Sequence, residues 1–177
     1  IYLNYIGCQD ELVFDGSSLV MNGNKEIVFE APSWDENKSV VEFDIDQNNF
    51  KNLHFDKAKT SDLENIYMAT VIGLRDYVTK NNFPGVILGL SGGIDSAFCA
   101  AVAVDALGKD KVNAYMLPSV YTSKDSLEDA EDCAKRLEIQ LDSISIGSTF
   151  SSLEESLKKL FRGLPTDITE ENLQSRI

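Results

Sequence analysis

The sequence has 177 residues, of which 43% are hydrophobic and 25% charged, and its formal net charge is −13. That acidic balance argues against nucleic acid and anionic membranes as partners, and no stretch is long and apolar enough for a membrane-spanning helix. Cys8, Cys99 and Cys133 are widely spaced and odd in number, which fits neither a disulfide framework nor a zinc site, so reduced thiols in a cytoplasmic protein are expected; the single histidine, His54, lies in a polar stretch and reads as a surface or linker residue, which argues against a His-based triad or a His-rich metal site.

In chain order, residues 1–46 read as β structure. Leu12-Val13-Phe14 and Ser18-Leu19-Val20-Met21 flank Asp15-Gly16, a strong turn dipeptide, and Asn22-Gly23-Asn24 marks a second turn. Glu26-Ile27-Val28-Phe29 and Val40-Val41-Glu42-Phe43 are the next strand candidates. Small hairpins of this kind are barely stable alone, so the segment is expected to belong to a larger β-rich domain. Residues 47–60 are polar and read as a linker. The chain opens on Ile1-Tyr2-Leu3-Asn4-Tyr5 without an initiating Met, and it closes as a helix is starting. Both ends fit an internal window of a longer protein.

From Ser61 the periodicity changes. Ser61 and Glu64 form a capping-box pair, and Leu63, Ile66, Tyr67, Thr70, Val71, Leu74 and Val78 recur at helical spacing. A continuous apolar strand follows at residues 86–90, of the kind buried on both faces of a parallel sheet. An Ala-rich helix over 97–107, apolar nearly all round, is expected to be buried. A strand at 112–117, an amphipathic helix at 124–137, a strand at 141–146 and a helix at 150–161 complete the pattern. Strict alternation of this kind predicts a doubly wound α/β domain over 61–177, with a parallel sheet and ligands at the carboxyl ends of its strands.

The first of those strands runs into Ser91-Gly92-Gly93-Ile94-Asp95-Ser96, with a helix directly after it. Adjacent glycines allow a tight curl and close approach of backbone to a ligand. Amides of the curl and of the first helical turn converge where the helix dipole adds positive charge. Ser91 and Ser96 can donate to phosphate oxygens, so even an acidic chain can bind ATP here. Asp95 would repel a bare phosphate, but it suits Mg²⁺, a hard cation that bridges carboxylate and phosphate oxygens. Neither the Walker G-x-x-x-x-G-K-[ST] nor the dinucleotide G-x-G-x-x-G pattern is present. The plain alternative is a tight strand–helix turn capped by Ser96. A bare Gly-Gly would suit that reading better than Ser-Gly-Gly-x-Asp-Ser between two buried elements does.

This loop resembles the pyrophosphate-binding loop of the ATP pyrophosphatases, or adenine nucleotide alpha hydrolases. Three longer stretches resemble the NAD synthetase family within that group: Gly89 to Ala97 with Ala103-Val104-Asp105-Ala106-Leu107-Gly108; Met116-Leu117-Pro118-Ser119-Val120-Tyr121-Thr122-Ser123 with Ser126 and Asp129-Ala130 after it; and Glu171-Asn172-Leu173-Gln174-Ser175-Arg176, where Ser175 replaces the usual Ala. Residues 2–16 are similar to a stretch near the end of the nitrilase-like glutaminase domain of glutamine-dependent members, with Cys8 where the family has Gly. The resemblance implies a β-rich tail of a nitrilase-like domain over 1–46 and the first part of a synthetase domain over 61–177.

For function, the resemblance implies ATP-dependent amidation of deamido-NAD to NAD through an adenylated intermediate, with ammonia taken from glutamine and Mg²⁺ required. Gly89, Leu90, Ser91, Gly92, Gly93, Ile94, Asp95, Ser96, Met116 and Leu117 are the implied ATP and pyrophosphate contacts. Asp95 is the implied metal ligand, and Asn172 and Arg176 the implied deamido-NAD contacts. Strand packing remains open for Met116 and Leu117, and a solvated helix start for Asn172 and Arg176. The family's glutaminase Glu, Lys and Cys would lie upstream of Ile1, so Cys8 is not read as a nucleophile. The family also implies a homo-oligomer. Another ATP-pyrophosphatase ligase, resembling GMP or asparagine synthetase, and a non-catalytic ATP-binding module are the rival readings. The acidic run Asp125, Glu128, Asp129, Glu131 and Asp132 reads as a solvated helix face.

Overall fold

A computed structural model describes residues 1–51, 60–119, 121–158 and Asn172. The chain separates into two compact units, Ile1–Asn82 and Phe83–Ile177. Among the described residues no helix is long and apolar enough to cross a membrane.

The first unit begins with a hairpin of β1 (Ile6–Gln9) and β2 (Leu12–Asp15), paired antiparallel with Gln9 opposite Leu12. Its two-residue turn is Asp10-Glu11, where Asp10 takes a φ of 53°. The expected hairpin around Asp15-Gly16 does not form. Gly16 N–H donates to Tyr5 O, which extends the β1–β2 ladder, while β3 (Leu19–Met21) pairs with β4 (Ile27–Glu30) instead. Asp15-Gly16 therefore links two strand pairs. The Asn22-Gly23-Asn24 turn forms as expected: Asn22 Oδ1 accepts from Asn24 N–H (2.9 Å) and Glu26 N–H (3.0 Å). The strand expected at residues 40–43 is displaced. Val40 is exposed, and pairing starts only at β5 (Phe43–Asp44) against β6 (Asn49–Phe50), where the Phe43 and Phe50 rings meet edge to face at 5.0 Å.

Helix α1 (Asp62–Lys80) starts where the capping pair predicts, with the Ser61 side chain accepting from Glu64 N–H at 3.2 Å. Its burial is narrower than the periodicity implies. Val71, Ile72 and Val78 are buried, whereas Leu63 and Ile66 are exposed. The hairpin meets the helix in its second half. A Cβ on Gly73 would lie 3.4 Å from Val13 Cγ2, and Asp76 Oδ2 accepts from Cys8 N–H at 2.8 Å. Lys80 pairs with Asp76 (2.9 Å) and also donates to Cys8 O.

The Asp76 side chain is only 13% exposed. Burial pushes its carboxyl up, but the Cys8 amide and Lys80 outweigh burial and hold it below the usual carboxylate range. A carboxyl depressed in the fold gives stability that is present above its unfolded pKa and lost as pH falls through the folded one. Asp76→Ala is expected to lower stability at neutral pH by about 1–3 kcal/mol. The gap to the unmodified protein should close as pH falls below about 4, the ordinary carboxyl range. Urea denaturation at several pH values measures this; a pH-independent gap would remove the ionised carboxylate as the cause.

The second unit is a three-stranded parallel sheet in the order β7 (Val86–Gly89), β8 (Val112–Met116), β9 (Gln140–Ser143). Parallel neighbours need crossovers, supplied by α2 (Ile94–Leu107) and α3 (Lys124–Leu137), with α4 (Gly147–Leu157) after β9. Val112, Ala114 and Met116 of β8 are buried, as are Ala100, Ala103 and Ala106 of α2 and Ala130 and Ala134 of α3. Small side chains at these helix positions let the helices pack close to the sheet.

Two burial expectations fail. Strand β7 is not buried on both faces, since Ile87 is 75% exposed, and α2 is buried on one side only, with Ile94, Phe98 and Cys99 exposed. Both crossovers of a right-handed winding lie on one face of the sheet, which leaves Ile87 uncovered among the described residues. Helix α2 also begins three residues earlier than expected, because Gly93 is its N-cap. Residues 140–143 form the third strand, not 141–146, and the last described helix starts at Gly147, not 150.

Candidate functional site

The candidate site forms where β7 hands over to α2. Leu90 is buried (2% exposed) and its N–H donates to Tyr115 O at 2.9 Å, so the ladder anchors the chain one residue beyond the strand. The backbone then turns sharply through Ser91-Gly92-Gly93. Ser96 Oγ knits the turn together. It accepts from Ser91 N–H (3.2 Å), shares a hydrogen bond with Ser91 Oγ (3.1 Å) and donates to Gly93 O (2.9 Å). Gly93 N–H donates to Ser91 Oγ at 3.3 Å.

The two glycines are not equivalent. Gly92 takes a φ of +81°, and a Cβ there would sit 2.2 Å from Ser126 O and 2.8 Å from Ser126 Cα. Gly93 takes an ordinary φ of −83°, and its Cβ would meet only Ser91 Oγ, at 3.4 Å. Conformation and packing thus demand glycine at 92 alone. Since Gly93 caps α2 and Ala97 N–H donates to Gly93 O (3.1 Å), Ile94, Asp95 and Ser96 form the first helical turn. The N-cap is therefore Gly93 and not Ser96. The amides of that turn have no intrahelical acceptor, and the helix dipole concentrates positive charge on them. A helix N-terminus of this kind can accept an anion.

Asp95 lies in that first turn and is exposed. Among the described residues no group of three or more His, Cys, Asp or Glu side chains is placed to hold a metal. Asp95 would therefore act alone or with one further such side chain among the described residues. That arrangement fits Mg²⁺, which takes one or two carboxylates and completes its shell with phosphate oxygens and water.

The neighbouring strand brings Met116 and Leu117 to the same carboxyl edge, because β7 and β8 run in register from Val86 opposite Val112 to Gly89 opposite Tyr115. The two residues then differ. The Met116 side chain is buried and its carbonyl accepts from Ile144 N–H at 2.8 Å, whereas Leu117 is 45% exposed. Met116 supports the edge and Leu117 presents a surface there. Asn172 is helical and exposed. Arg176 lies outside the described residues, as does His54.

Reading by motif placed Ser123 and Ser126 in a family-like stretch but gave the first turn of α3 no role. Ser123 caps that helix, accepting from Ser126 N–H at 3.1 Å, and its hydroxyl shares a 2.8 Å hydrogen bond with Ser126 Oγ. Ser126 is the residue that lies against Gly92. The Ser-x-x-Ser pattern before an amphipathic helix was the available signal. Further along α3, Asp125, Glu128, Asp129, Glu131 and Asp132 are all exposed, and Lys124–Glu128 and Asp132–Arg136 form i,i+4 pairs, as a solvated face should. Cys8 gains no catalytic setting. Asp76 and Lys80 bind its backbone, while its thiol donates to Asp10 O at 3.5 Å. Burial pushes the Cys133 thiol up.

A family model described as NAD synthase matches residues 66–177. The chain is 46% identical over 177 residues to a glutamine-dependent NAD(+) synthetase of Acinetobacter baylyi, with 99% of this chain and 32% of that protein covered. Among solved structures, it resembles the glutamine-dependent NAD+ synthetase of Acinetobacter baumannii in complex with ADP, with a TM-score of 0.89 and 45% identity over 99% of this chain and 33% of that one. An NH3-dependent NAD synthetase from Campylobacter jejuni aligns with 66% of this chain and 48% of its own, at a TM-score of 0.56 and 28% identity. The chain thus spans about a third of the glutamine-dependent relatives it matches.

Proposed function

The chain belongs to the NAD synthase family, and from that premise we propose that it forms part of a glutamine-dependent NAD synthetase, contributing the nucleotide-activating end of the site. The reaction joins ammonia to the pyridine carboxylate of deamido-NAD. A carboxylate oxygen attacks the α-phosphorus of ATP, the bond to the β-phosphate oxygen breaks, and pyrophosphate leaves. Ammonia then attacks the acyl carbon, AMP leaves with the carboxylate oxygen, and a proton is lost as the amide forms.

Negative charge builds on the departing pyrophosphate, and the loop is organised to meet it. Hydrogen bonds among Ser91, Gly93 and Ser96 hold the loop in shape before any substrate arrives. The amides of Gly92 and the first turn of α2 would meet the phosphate oxygens directly, and the Gly93 amide and the hydroxyls of Ser91 and Ser96 would do so by exchanging their internal partners. Gly89, Leu90 and Ile94 contribute backbone that shapes this loop. Asp95 would hold Mg²⁺, which would neutralise the same phosphate oxygens. Leu117, backed by the buried Met116, offers an apolar surface for adenine. Asn172 and Arg176 would bind deamido-NAD.

In this reading, residues 1–46 are the end of a nitrilase-like glutaminase domain, 47–60 a linker, and 61–177 the start of a synthetase domain of the adenine nucleotide alpha hydrolase class. Glutamine would be hydrolysed by residues that this chain does not contain. The match across 99% of the chain to glutamine-dependent relatives supports that assignment, since the NH3-dependent enzyme aligns with only 66% of it.

The observation that carries the proposal is the Ser91–Ser96 loop, with its glycine forced at position 92 and a helix N-terminus at its centre. The test is ATP turnover by the natural protein that carries this sequence, with Mg²⁺ and ammonia, with and without deamido-NAD. AMP, pyrophosphate and NAD are expected together, and only when deamido-NAD is present. Appearance of AMP and pyrophosphate only with another acceptor, such as aspartate or xanthosine monophosphate, would keep the loop and reject the substrate.

A further inference from the structure

We propose that Ser123, which lies outside the phosphate loop, is a positioning residue for that loop and acts through Ser126; the nucleotide part of this inference rests on the function proposed above. Gly92 has no side chain, and the space a Cβ would fill is taken by the peptide of Ser126, with O at 2.2 Å, Cα at 2.8 Å and C at 2.9 Å from that point. All three are backbone atoms. They cannot swing aside as the end of a flexible side chain can. The height of the loop's tightest turn is therefore set by where the first turn of α3 sits.

Ser123 fixes that turn. Its hydroxyl oxygen accepts from Ser126 N–H (3.1 Å) and shares a second hydrogen bond with Ser126 Oγ (2.8 Å), so both interactions act on the residue whose backbone lies nearest the missing Cβ of Gly92. One turn later Ala130 is fully buried (0% exposed), which anchors the other end of the same helical turn. Ser123 is itself held by a stitched connection from β8. Ser119 N–H donates to Thr122 Oγ1 (3.0 Å), Tyr121 N–H donates to Ser119 Oγ (3.1 Å), and the Tyr121 ring stands edge-on to buried Phe150 at 5.7 Å. Ile146 N–H donates to Pro118 O at 3.3 Å. The described residues between β8 and α3, 117–119 and 121–123, thus form a brace whose last fixed point is Ser123 and whose load is Gly92. Ser123 needs no contact with the nucleotide to affect how it binds.

The experiment compares Ser123→Ala with Ser123→Thr and Ser123→Asn in the natural protein carrying this sequence. Thr and Asn can cap a helix and Ala cannot. In ammonia-dependent turnover, Ser123→Ala is expected to raise the KM for ATP about fivefold, the equilibrium equivalent of a lost N-cap, with the KM for deamido-NAD unchanged. Both capping variants should restore the ATP value. In parallel, amide hydrogen exchange over residues 91–96 should quicken in Ser123→Ala and return to normal in Ser123→Thr. An active Ser123→Ala protein with an unchanged ATP KM overturns the proposal, whatever its melting temperature does. If the unmodified protein turns over no ATP, the functional reading falls and exchange alone decides the brace: quicker exchange upholds it, and unchanged exchange overturns it.

Discussion

Gly92→Ala is expected to lower kcat/KM for ATP about 100-fold, the scale of a misplacement of about 1 Å in a reacting group. Two penalties act at once. An L-residue at a φ of +81° pays about 1–2 kcal/mol for left-handed backbone. The new methyl would also lie 2.2 Å from Ser126 O, so either the loop or the first turn of α3 must move. Either movement displaces the amides proposed to meet the phosphates. Gly93→Ala is the matched control. Its φ of −83° is ordinary and its methyl would meet only the Ser91 hydroxyl, at 3.4 Å, so a loss of less than about tenfold is expected. Steady-state kinetics with ammonia as nitrogen donor measures both. Equal losses in the two variants would mean that the loop tolerates neither methyl for a reason other than the Ser126 contact.

Asp95→Ala is expected to abolish NAD synthesis from both ammonia and glutamine, by about 1,000-fold or more, while glutamine hydrolysis survives at least in part. The residue is exposed in the first turn of α2. Its removal costs the fold at most the helix-dipole contribution of an N-terminal acid, about 0.3–1 kcal/mol. A large activity loss with a nearly unchanged unfolding curve would thus point to chemistry and not to folding. Asp95→Asn keeps shape and hydrogen bonding but removes the charge, so it should be nearly as inactive if the role is to hold Mg²⁺. Ammonia-dependent synthesis that persists in Asp95→Ala would take Asp95 out of the mechanism.

The three positions Gly92, Asp95 and Ser123 separate three contributions to one site. Gly92 sets how closely the loop and α3 approach. Asp95 would supply charge for a cation. Ser123 keeps the approach fixed from outside the loop. Of the three, Asp95 would touch the cation, the Gly92 amide would face the phosphates, and Ser123 would touch neither.

Much of the second unit was legible because its signals are local. An apolar run of strand length, a small-residue turn and an Ala-rich helix follow one another within about twenty residues, and each states its own period. The capping pair Ser61 and Glu64 placed the start of α1 correctly for the same reason. Hairpin pairing was harder. Asp15-Gly16 is a good turn dipeptide, yet Gly16 N–H goes to Tyr5 O and β3 takes β4 as partner. A turn propensity names a bend without naming the strands that pair across it. Burial was misjudged for Ile87 and for one side of α2, because apolar composition says what could be covered and only the placement of other elements says what is.

The sequence by itself determined the order of elements in the second unit, the tight Gly-Gly turn between its first strand and helix, and the membership of a family, since each rests on residue types at fixed short spacings. The tertiary structure alone decided which glycine is obligatory, which loop residues belong to the helix, and that Met116 is core while Leu117 is surface. It also brought Ser126 against Gly92, 34 positions earlier in the chain. Contact at that separation depends on how two crossovers pack on one sheet, and no local pattern encodes such a distance.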